Sequence, residues 1–517
     1  MQNEAITAES SPTSVEIKHP YRWLSLICLF QLLFWTMGPW LARNTLHSDT
    51  LEGIAWGNLW QWGYDKHPPL AAWIAAFFSN LSDTSDWPVY LLAQICVVIA
   101  FIAIWKLARE YLTGAGALLA VFLLQGILFY SNRVERVTPD TLQHPVWALL
   151  ALTFYFAVTR QSISYWLITG VMAGLAILTK YQAIVLFAPL LIVLLITSEG
   201  RKALSSVGPW LGGIVALTIA APHLYWLWEN NFAAVSYLED NYVESARYGT
   251  GTDWDHLTFP FSFIKNSLGN IFVLFLLMIP LFRAPKLPIV YPSFKKVFLI
   301  AIATGPFAFT LVFGLVTGEK LVPRWATPYF AWLPLLILVW LRPLIDYQRF
   351  KKIVLWCLLT GLIFVSLRCS YLLFKPLFDD DYWDSVEFMP LRAQMLKAEE
   401  LWSHHYNQPM HYLGGLHYHV AELIAYSHNR KTTPFFGLNP AESLWMKEED
   451  FRKKGGIIVM VDGKRNSEQV RQRLEKNYPQ AEFLGRFEFE PVTKIKINDK
   501  PKLVVEYYLI RPQSIQK

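Results

Sequence analysis

Apolar runs of roughly 17 to 22 residues, each long enough to cross a hydrocarbon core about 30 Å thick, recur along the chain until about Lys375 and then stop. They predict eleven spans, near 23–41, 88–105, 114–130, 144–159, 164–179, 182–197, 207–228, 267–282, 297–316, 325–341 and 353–374, and a short or re-entrant segment is expected in 66–88 or 255–266. The fold class this implies is mainly α, a polytopic membrane helical bundle of about 11 to 13 transmembrane helices. Past Lys375 the pattern changes to that of a small α/β domain. Residues 391–406 and 418–429 have helical periodicity, 455–464 reads as a buried strand and turn, and 502–511 alternates as a strand. The expected organisation is a cytoplasmic tail at 1–22, a membrane domain at 23–375 with large outer loops at 42–87 and 131–144, and a soluble extracytoplasmic α/β domain at 376–517.

Composition agrees with the periodicity: 54% hydrophobic and 17% charged residues are too apolar for a soluble globule of 517 residues. The net charge of +6 does not indicate nucleic acid, because the basic residues sit at the ends of apolar spans and do not gather on one element. Cys28, Cys96, Cys357 and Cys369 all fall inside spans, so no disulfide framework or CxxC metal site is legible. Residues 1–20 are polar without a basic leader, and the first apolar run reads as a retained anchor.

Charge sorts the connections into two sets. One holds Lys18, Arg22, Lys106, Arg109, Arg160, Arg201, Lys202, Arg283, Lys286, Lys295, Lys296, Arg342, Arg349, Lys351 and Lys352, and the positive-inside rule makes it cytoplasmic. The other carries Asp49, Glu52, Asp65, Asp83, Asp86, Glu135, Asp140, Glu239, Asp240, Glu244, Asp253, Asp255 and Glu319. An odd number of spans puts the α/β tail with this second, outward set.

The first outer loop is the richest stretch. Leu51, Ile54, Ala55, Leu59 and Trp62 recur at helical spacing, which predicts an amphipathic helix in the headgroup plane with Trp56 and Trp60 as interface anchors. Asp49 and Glu52 fit a capping arrangement at its start, and an exposed carboxylate there is equally placed to react. Tyr64, Asp65, Lys66 and His67 then precede two prolines that open the next helix, holding Lys66 and His67 at the surface to meet an anionic headgroup or to form a plain surface turn. The second loop concentrates Arg133, Glu135, Arg136, Asp140 and His144, with Thr138-Pro139-Asp140 fitting a helix start. Lys180 in a LeuThrLys turn, and Glu319, Lys320 and Arg324 in GEKLVPRW, put further charge on the same face. Basic groups there run against the topological trend, which points to a local anionic partner. The tail histidines His404, His405, His411, His417, His419 and His428 lack ligand spacing with a carboxylate partner, so a solvated surface is the better reading than a metal site. Walker-type and dinucleotide glycine loops and a nucleophile elbow are absent from the sequence.

These features together, an acidic first outer loop, a HisProPro at 67–69, a second outer acid, the LeuThrLys turn and the late LysLeuValProArgTrp loop, resemble the GT-C superfamily of membrane glycosyltransferases over about residues 20–375. The nearest likeness is to the bacterial branch related to protein O-mannosyltransferases, with the lipid A aminoarabinose transferases and the rhizobial core and lipid A galacturonosyltransferases. The tail segment GGLHYHVAELIAYSHNR also looks like that branch's C-terminal domain. The resemblance implies inverting transfer of a sugar from a polyprenyl-phosphate carrier to an acceptor, lipid A or lipopolysaccharide core, at the outer face of the cytoplasmic (inner) membrane. By position, Asp49 and Asp140 match the catalytic acids, and Lys66, His67, Lys180, Lys320 and Arg324 match donor-phosphate groups. Glu52, Trp56, Trp60 and Tyr64 are then expected near sugar or acceptor. The chain departs from the pattern at Thr50, where the family usually has a second acid, which leaves open whether a divalent metal bridges Asp49 and Asp140.

Two other classes compete. A transporter or lipid flippase places ionisable groups near the bilayer midplane, but the predicted span interiors are nearly free of charge, with Arg368 the exception. An O-antigen polymerase or ligase would use a diphosphate-linked carrier at the same face. The partners expected are the lipid-linked donor, an envelope acceptor and membrane lipids, with no nucleic acid.

Overall fold

A computed structural model describes residues 14–132, 134–234, 254–462, 466–498 and 500–513. Arg133, Glu239, Asp240, Glu244 and Asp253 of the charge pattern, and the turn at 463–465, lie outside the described residues.

Every expected span coincides with a helix. In chain order the membrane part contains α1 (Pro20–Ala42), α2 (Ser48–Gly57), α3 (Leu70–Ser79), α4 (Trp87–Ala108), α5 (Gly114–Phe122), α6 (Leu128–Ser131), α7 (Pro139–Arg160), α8 (Ile163–Thr179), α9 (Ile184–Ile196), α10 (Ser198–Leu204) and α11 (Gly208–Glu229). It continues with α12 (Asp255–Phe282), α13 (Ser293–Thr317), α14 (Leu333–Leu341) and α15 (Tyr347–Phe374). Among the described residues eight helical segments are long and apolar enough to cross a membrane, or nine if the pair Tyr181–Ile196 and Ser198–Leu204, bent by 98°, counts as one span. Gly114–Gly126 and Ile163–Thr179, both expected spans, are shorter. The chain is a multi-pass membrane protein.

Small residues set the tightest contacts. A Cβ on Gly170 of α8 would lie 2.2 Å from the Gly212 carbonyl oxygen of α11, so these two backbones touch. A Cβ on Gly57 would lie 2.0 Å from the Ala72 carbonyl oxygen, which seats α2 directly on α3.

The C-terminal unit contains α16 (Leu391–Ser403), α17 (His417–Ile424), α18 (Glu448–Lys454) and α19 (Ser467–Asn477) around a five-stranded sheet. Its strands are β1 (Tyr412–Gly415), β2 (Thr433–Phe436), β3 (Gly456–Val461), β4 (Glu482–Phe489) and β5 (Leu503–Ile510), in the order β2-β1-β3-β5-β4. The first three run parallel, and β5 is antiparallel to β3 and β4. Strand β3 is buried along its whole length, as the apolar run at 455–464 predicts. This unit packs on the end of the bundle that carries the first and second loops, through Arg43–Glu387 (3.2 Å), Arg392–Asp86 (2.9 Å) and Arg430–Asp83 (3.0 Å).

Candidate functional site

Helix α2 is preceded by His47, whose ring nitrogen accepts from the Asp49 backbone N–H. Asp49 therefore does not cap the helix, as the AspXXGlu spacing suggested. His47 supplies the cap, and the Asp49 carboxylate turns to Arg324 at 3.1 Å, with side-chain exposures of 30% and 62%. Burial, reinforced by Arg136, Arg43, Arg368 and Arg324, lowers the His47 pKa to about 2, so its ring is neutral and keeps a lone pair for that cap.

The second loop starts α7 as its sequence predicts. Thr138 is the N-cap, Pro139 occupies the first turn, and Asp140 follows. Asp140 meets Lys180 at 2.5 Å, and Gln143 also donates to it. From the turn after Lys180, Gln182 donates to the carbonyl of Trp325 at 2.8 Å and bonds the Tyr329 hydroxyl. Those bonds tie the Lys180 turn to the short helix Pro323–Ala326 that carries Arg324.

Two buried devices hold the loops in register. Thr50, where the resemblance leads one to expect a second acid, is buried and accepts the Val137 backbone N–H at 3.2 Å, so it joins the two loops by a hydrogen bond. Beneath them Glu135 bridges Arg43 (3.3 Å) and Arg368 (2.8 Å). Burial works to raise the Glu135 pKa, but Arg368 and Arg43 outweigh it and hold the carboxyl below its ordinary range. This accounts for Arg368, the one charge in a span that had no evident reason in the sequence. Gln31, Gln94 and Gln125, wholly buried on three helical segments, bond to one another and to the carbonyls of Tyr130 and Val134.

The result is a cavity of about 590 Å³ bounded by Asp49, Asp140, Arg136 and Arg324, with Asn132 from the second loop and Asn266 and Asn270 from α12. The three sequence-predicted residues it brings together are Asp49, Asp140 and Arg324. Lys180 reaches it through Asp140.

Other candidates sit elsewhere. Lys66, expected to hold a phosphate, is buried and paired with Glu52 at 2.6 Å, and it also contacts Tyr418 and His417. Burial would raise the Glu52 pKa, yet Lys66 and His417 hold it at about 2, so Glu52, expected near sugar or acceptor, stands as a buried charged partner of Lys66 and His417. His67 lies beside the Asp140–Lys180 pair, but burial, then the positive Lys180, lowers its pKa to about 3, and a neutral ring does not supply a phosphate-binding charge. Trp56, expected at the lipid interface, is buried and stacks on Tyr64 at 5.2 Å, while the Tyr64 hydroxyl donates to the Trp56 carbonyl. Trp60 is exposed and stacks on Trp73, and Lys320 is exposed and not among the residues that line the cavity. Asn132, Asn266, Asn270 and the His417 contact were missed by sequence reasoning. Two asparagines four residues apart at the edge of an apolar span were the available signal.

Among the described residues, the side chains around the two carboxylates do not make a divalent-metal site. Asp49 and Asp140 are each engaged by a cationic side chain, Thr50 is spent on a backbone N–H, and no group of three ligating side chains forms among the described residues.

With its helical bundle, C-terminal α/β unit and two acid-bearing loops over one cavity, the chain has a GT-C-like fold. It is similar over 94% of its length, and 98% of the other's, to the structure of ArnT from Cupriavidus metallidurans bound to undecaprenyl phosphate, with a TM-score of 0.59 at 13% identity. The apo structure of the same protein gives 0.56 at 12% identity, with the same coverage. A family described as dolichyl-phosphate-mannose-protein mannosyltransferase matches residues 66–226, which include Asp140 and Lys180. Among curated proteins the chain is 26% identical over 202 residues to the lipid A galacturonosyltransferase RgtD of Rhizobium johnstonii, 37% of this chain and 40% of that one. It is 28% identical over 204 residues to the lipopolysaccharide core galacturonosyltransferase RgtB of the same organism, 38% and 41%. The matched region thus spans about two fifths of these two relatives.

Proposed function

We propose that the chain is an inverting glycosyltransferase that moves a sugar from a polyprenyl-phosphate donor to lipid A or the lipopolysaccharide core. It would act at the outer face of the cytoplasmic membrane, with the N-terminus in the cytoplasm and the C-terminal unit in the periplasm. The observation that carries the reading is one cavity receiving Asp49, Asp140 and Arg324 from three separate stretches of chain. The names of the lipid A and core galacturonosyltransferases support the acceptor class, and the undecaprenyl phosphate on the ArnT structure supports the carrier class.

In this mechanism the acceptor oxygen forms its bond to the anomeric carbon as the carbon–oxygen bond to phosphate breaks. The electron pair leaves with the polyprenyl phosphate. Arg324, more exposed than its partner Asp49, swings to the leaving phosphate and offsets its growing charge. Asp49, released from that pair, takes the proton of an acceptor hydroxyl, or orients an acceptor phosphate that has none to give. Lys180 holds the Asp140 side chain at 2.5 Å on the cavity wall, where it faces the positive charge that develops at the anomeric carbon.

A transporter is disfavoured by the way Arg368 is used, since the charge in the last span is bound to Glu135 and not available to a moving substrate. The test supplies membranes containing the chain with labelled polyprenyl-monophosphate and polyprenyl-diphosphate sugars. Transfer from the monophosphate that is lost in Asp49→Asn is expected. Use of the diphosphate alone would favour an O-antigen polymerase or ligase, and accumulation of label in vesicles without transfer would favour the transporter.

A further inference from the structure

Asp49 is bracketed on its own helix by residues that the C-terminal unit holds. Ser48 donates to Glu422 at 2.7 Å, Glu52 bonds the His417 ring at 2.7 Å, and just before the helix the Leu46 backbone N–H donates to the Tyr426 hydroxyl at 3.0 Å. All three partners come from 417–426, the segment of α17 and its end. His417 is itself fixed from behind, stacked on Phe436 of β2 at 4.0 Å between ring centres and facing Glu442 at 3.6 Å.

Helix α2 has ten residues, too few to hold a helical conformation or an orientation alone. Its apolar stripe, Leu51, Ile54 and Ala55, is wholly buried, and Gly57 sits on Ala72 of α3. The membrane part therefore supplies a wall against α2 and two polar contacts, Val137 to Thr50 and Lys66 to Glu52, and the C-terminal unit adds three more at and just before its N-terminal end, where the acid is. Asp49 itself makes none of these contacts; its carboxylate is left to the cavity and Arg324.

We propose that 417–426 is a positioning clamp, in which His417, Glu422 and Tyr426 set where the Asp49 carboxylate stands over the cavity, so that the C-terminal unit is part of the transfer apparatus. The clamp rests on the transfer reading for its consequence, not for its existence. A displacement of the acid by about 1 Å is enough to cost a hundredfold in rate. The three contacts act together, so removing one loosens the helix start without detaching it.

The experiment uses the full chain in lipid nanodiscs, with Glu422→Ala, Glu422→Gln, His417→Ala and Tyr426→Phe compared with the parent. Hydrogen exchange of residues 46–57 reads the clamp directly and needs no substrate. Turnover with a labelled polyprenyl-monophosphate sugar reads its consequence. Expected is faster exchange at 46–57 by about tenfold in Glu422→Ala, His417→Ala and Tyr426→Phe, with strand β3 still protected. The same variants lose kcat by about tenfold while donor KM stays within about twofold, and Glu422→Gln, which keeps an acceptor for Ser48, returns most of it. Unchanged exchange at 46–57 in all three variants overturns the clamp. Tyr426→Phe deletes a single hydroxyl, so it decides the matter if either alanine variant fails to fold. A parent chain that transfers no sugar would sink the function reading and leave the exchange result to judge the clamp.

Discussion

Replacing Glu135 by glutamine removes a negative charge shared by two buried arginines. The side chains of Glu135 and Arg43 are each 1% exposed and that of Arg368 is 11% exposed, so neither cation reaches bulk water when the carboxylate goes. The net worth of a buried ion pair is small, but breaking one by deleting a partner strands a charge and costs about 3 to 5 kcal/mol. Arg43 keeps Glu387 at 3.2 Å, so the lower end, about 3 kcal/mol, is expected. Spread over 517 residues at roughly 2 cal/mol/K per residue, that is a fall in Tm of about 3 °C. The assay is thermal unfolding in detergent at neutral pH, where a carboxyl held below its usual range is fully charged. In Glu135→Gln/Arg368→Gln the stranded charge in the last span is also gone, and more than half of the loss should return. A Glu135→Gln protein that melts with the parent, or a double variant that loses the sum of both singles, refutes the argument.

Thr50→Val keeps the shape of a buried side chain and deletes the acceptor for the Val137 N–H, so about 1 to 3 kcal/mol should be lost in the same melting assay, with turnover falling as the loops part. Asp65 is buried with one carboxylate oxygen unpartnered, and desolvation pushes its pKa up to about 6. Between its unfolded pKa near 4 and about 6 the folded chain binds more protons, so this group's contribution falls as pH rises through that window. Asp65→Asn should therefore raise the stability at pH 7.5 by up to about 3 kcal/mol, read as a higher melting temperature, and should do nothing at pH 4. His47, lowered to about 2, has the opposite sign: its neutral ring is favoured in the fold, and stability drops as pH falls below its unfolded value of about 6.5. His47→Asn, which retains a cap acceptor, should flatten the pH dependence of melting between pH 5 and 7.

How much of this was legible follows from the range of each signal. A span is a local property of about twenty residues, so all eleven positions coincide with helices, and the Thr138-Pro139-Asp140 start of α7 is equally local. Strands β1 and β2 were missed because each has four residues and contains glycine or proline, too short for alternation to show. The amphipathic stripe of α2 was visible, but an apolar face does not say whether lipid or protein covers it. Leu51, Ile54 and Trp56 turned out to face protein. The pairing of cations was invisible for a similar reason. Lys66 and Lys180 look alike in sequence, yet one is taken by Glu52 of its own loop and the other by Asp140, and only the fold decides which base meets which acid. Arg324 finds Asp49 across 275 positions of sequence, beyond any spacing rule.

The central claim is that Asp49 and Arg324 act on a sugar carried by a single lipid phosphate. Its most direct test is single-turnover transfer from a labelled polyprenyl-monophosphate sugar to a lipid A acceptor by the purified chain in nanodiscs, with Asp49→Asn and Arg324→Ala alongside. Transfer by the parent, a loss of at least about a hundredfold in Asp49→Asn and a rise in donor KM in Arg324→Ala are predicted. Undiminished transfer by Asp49→Asn would contradict the account.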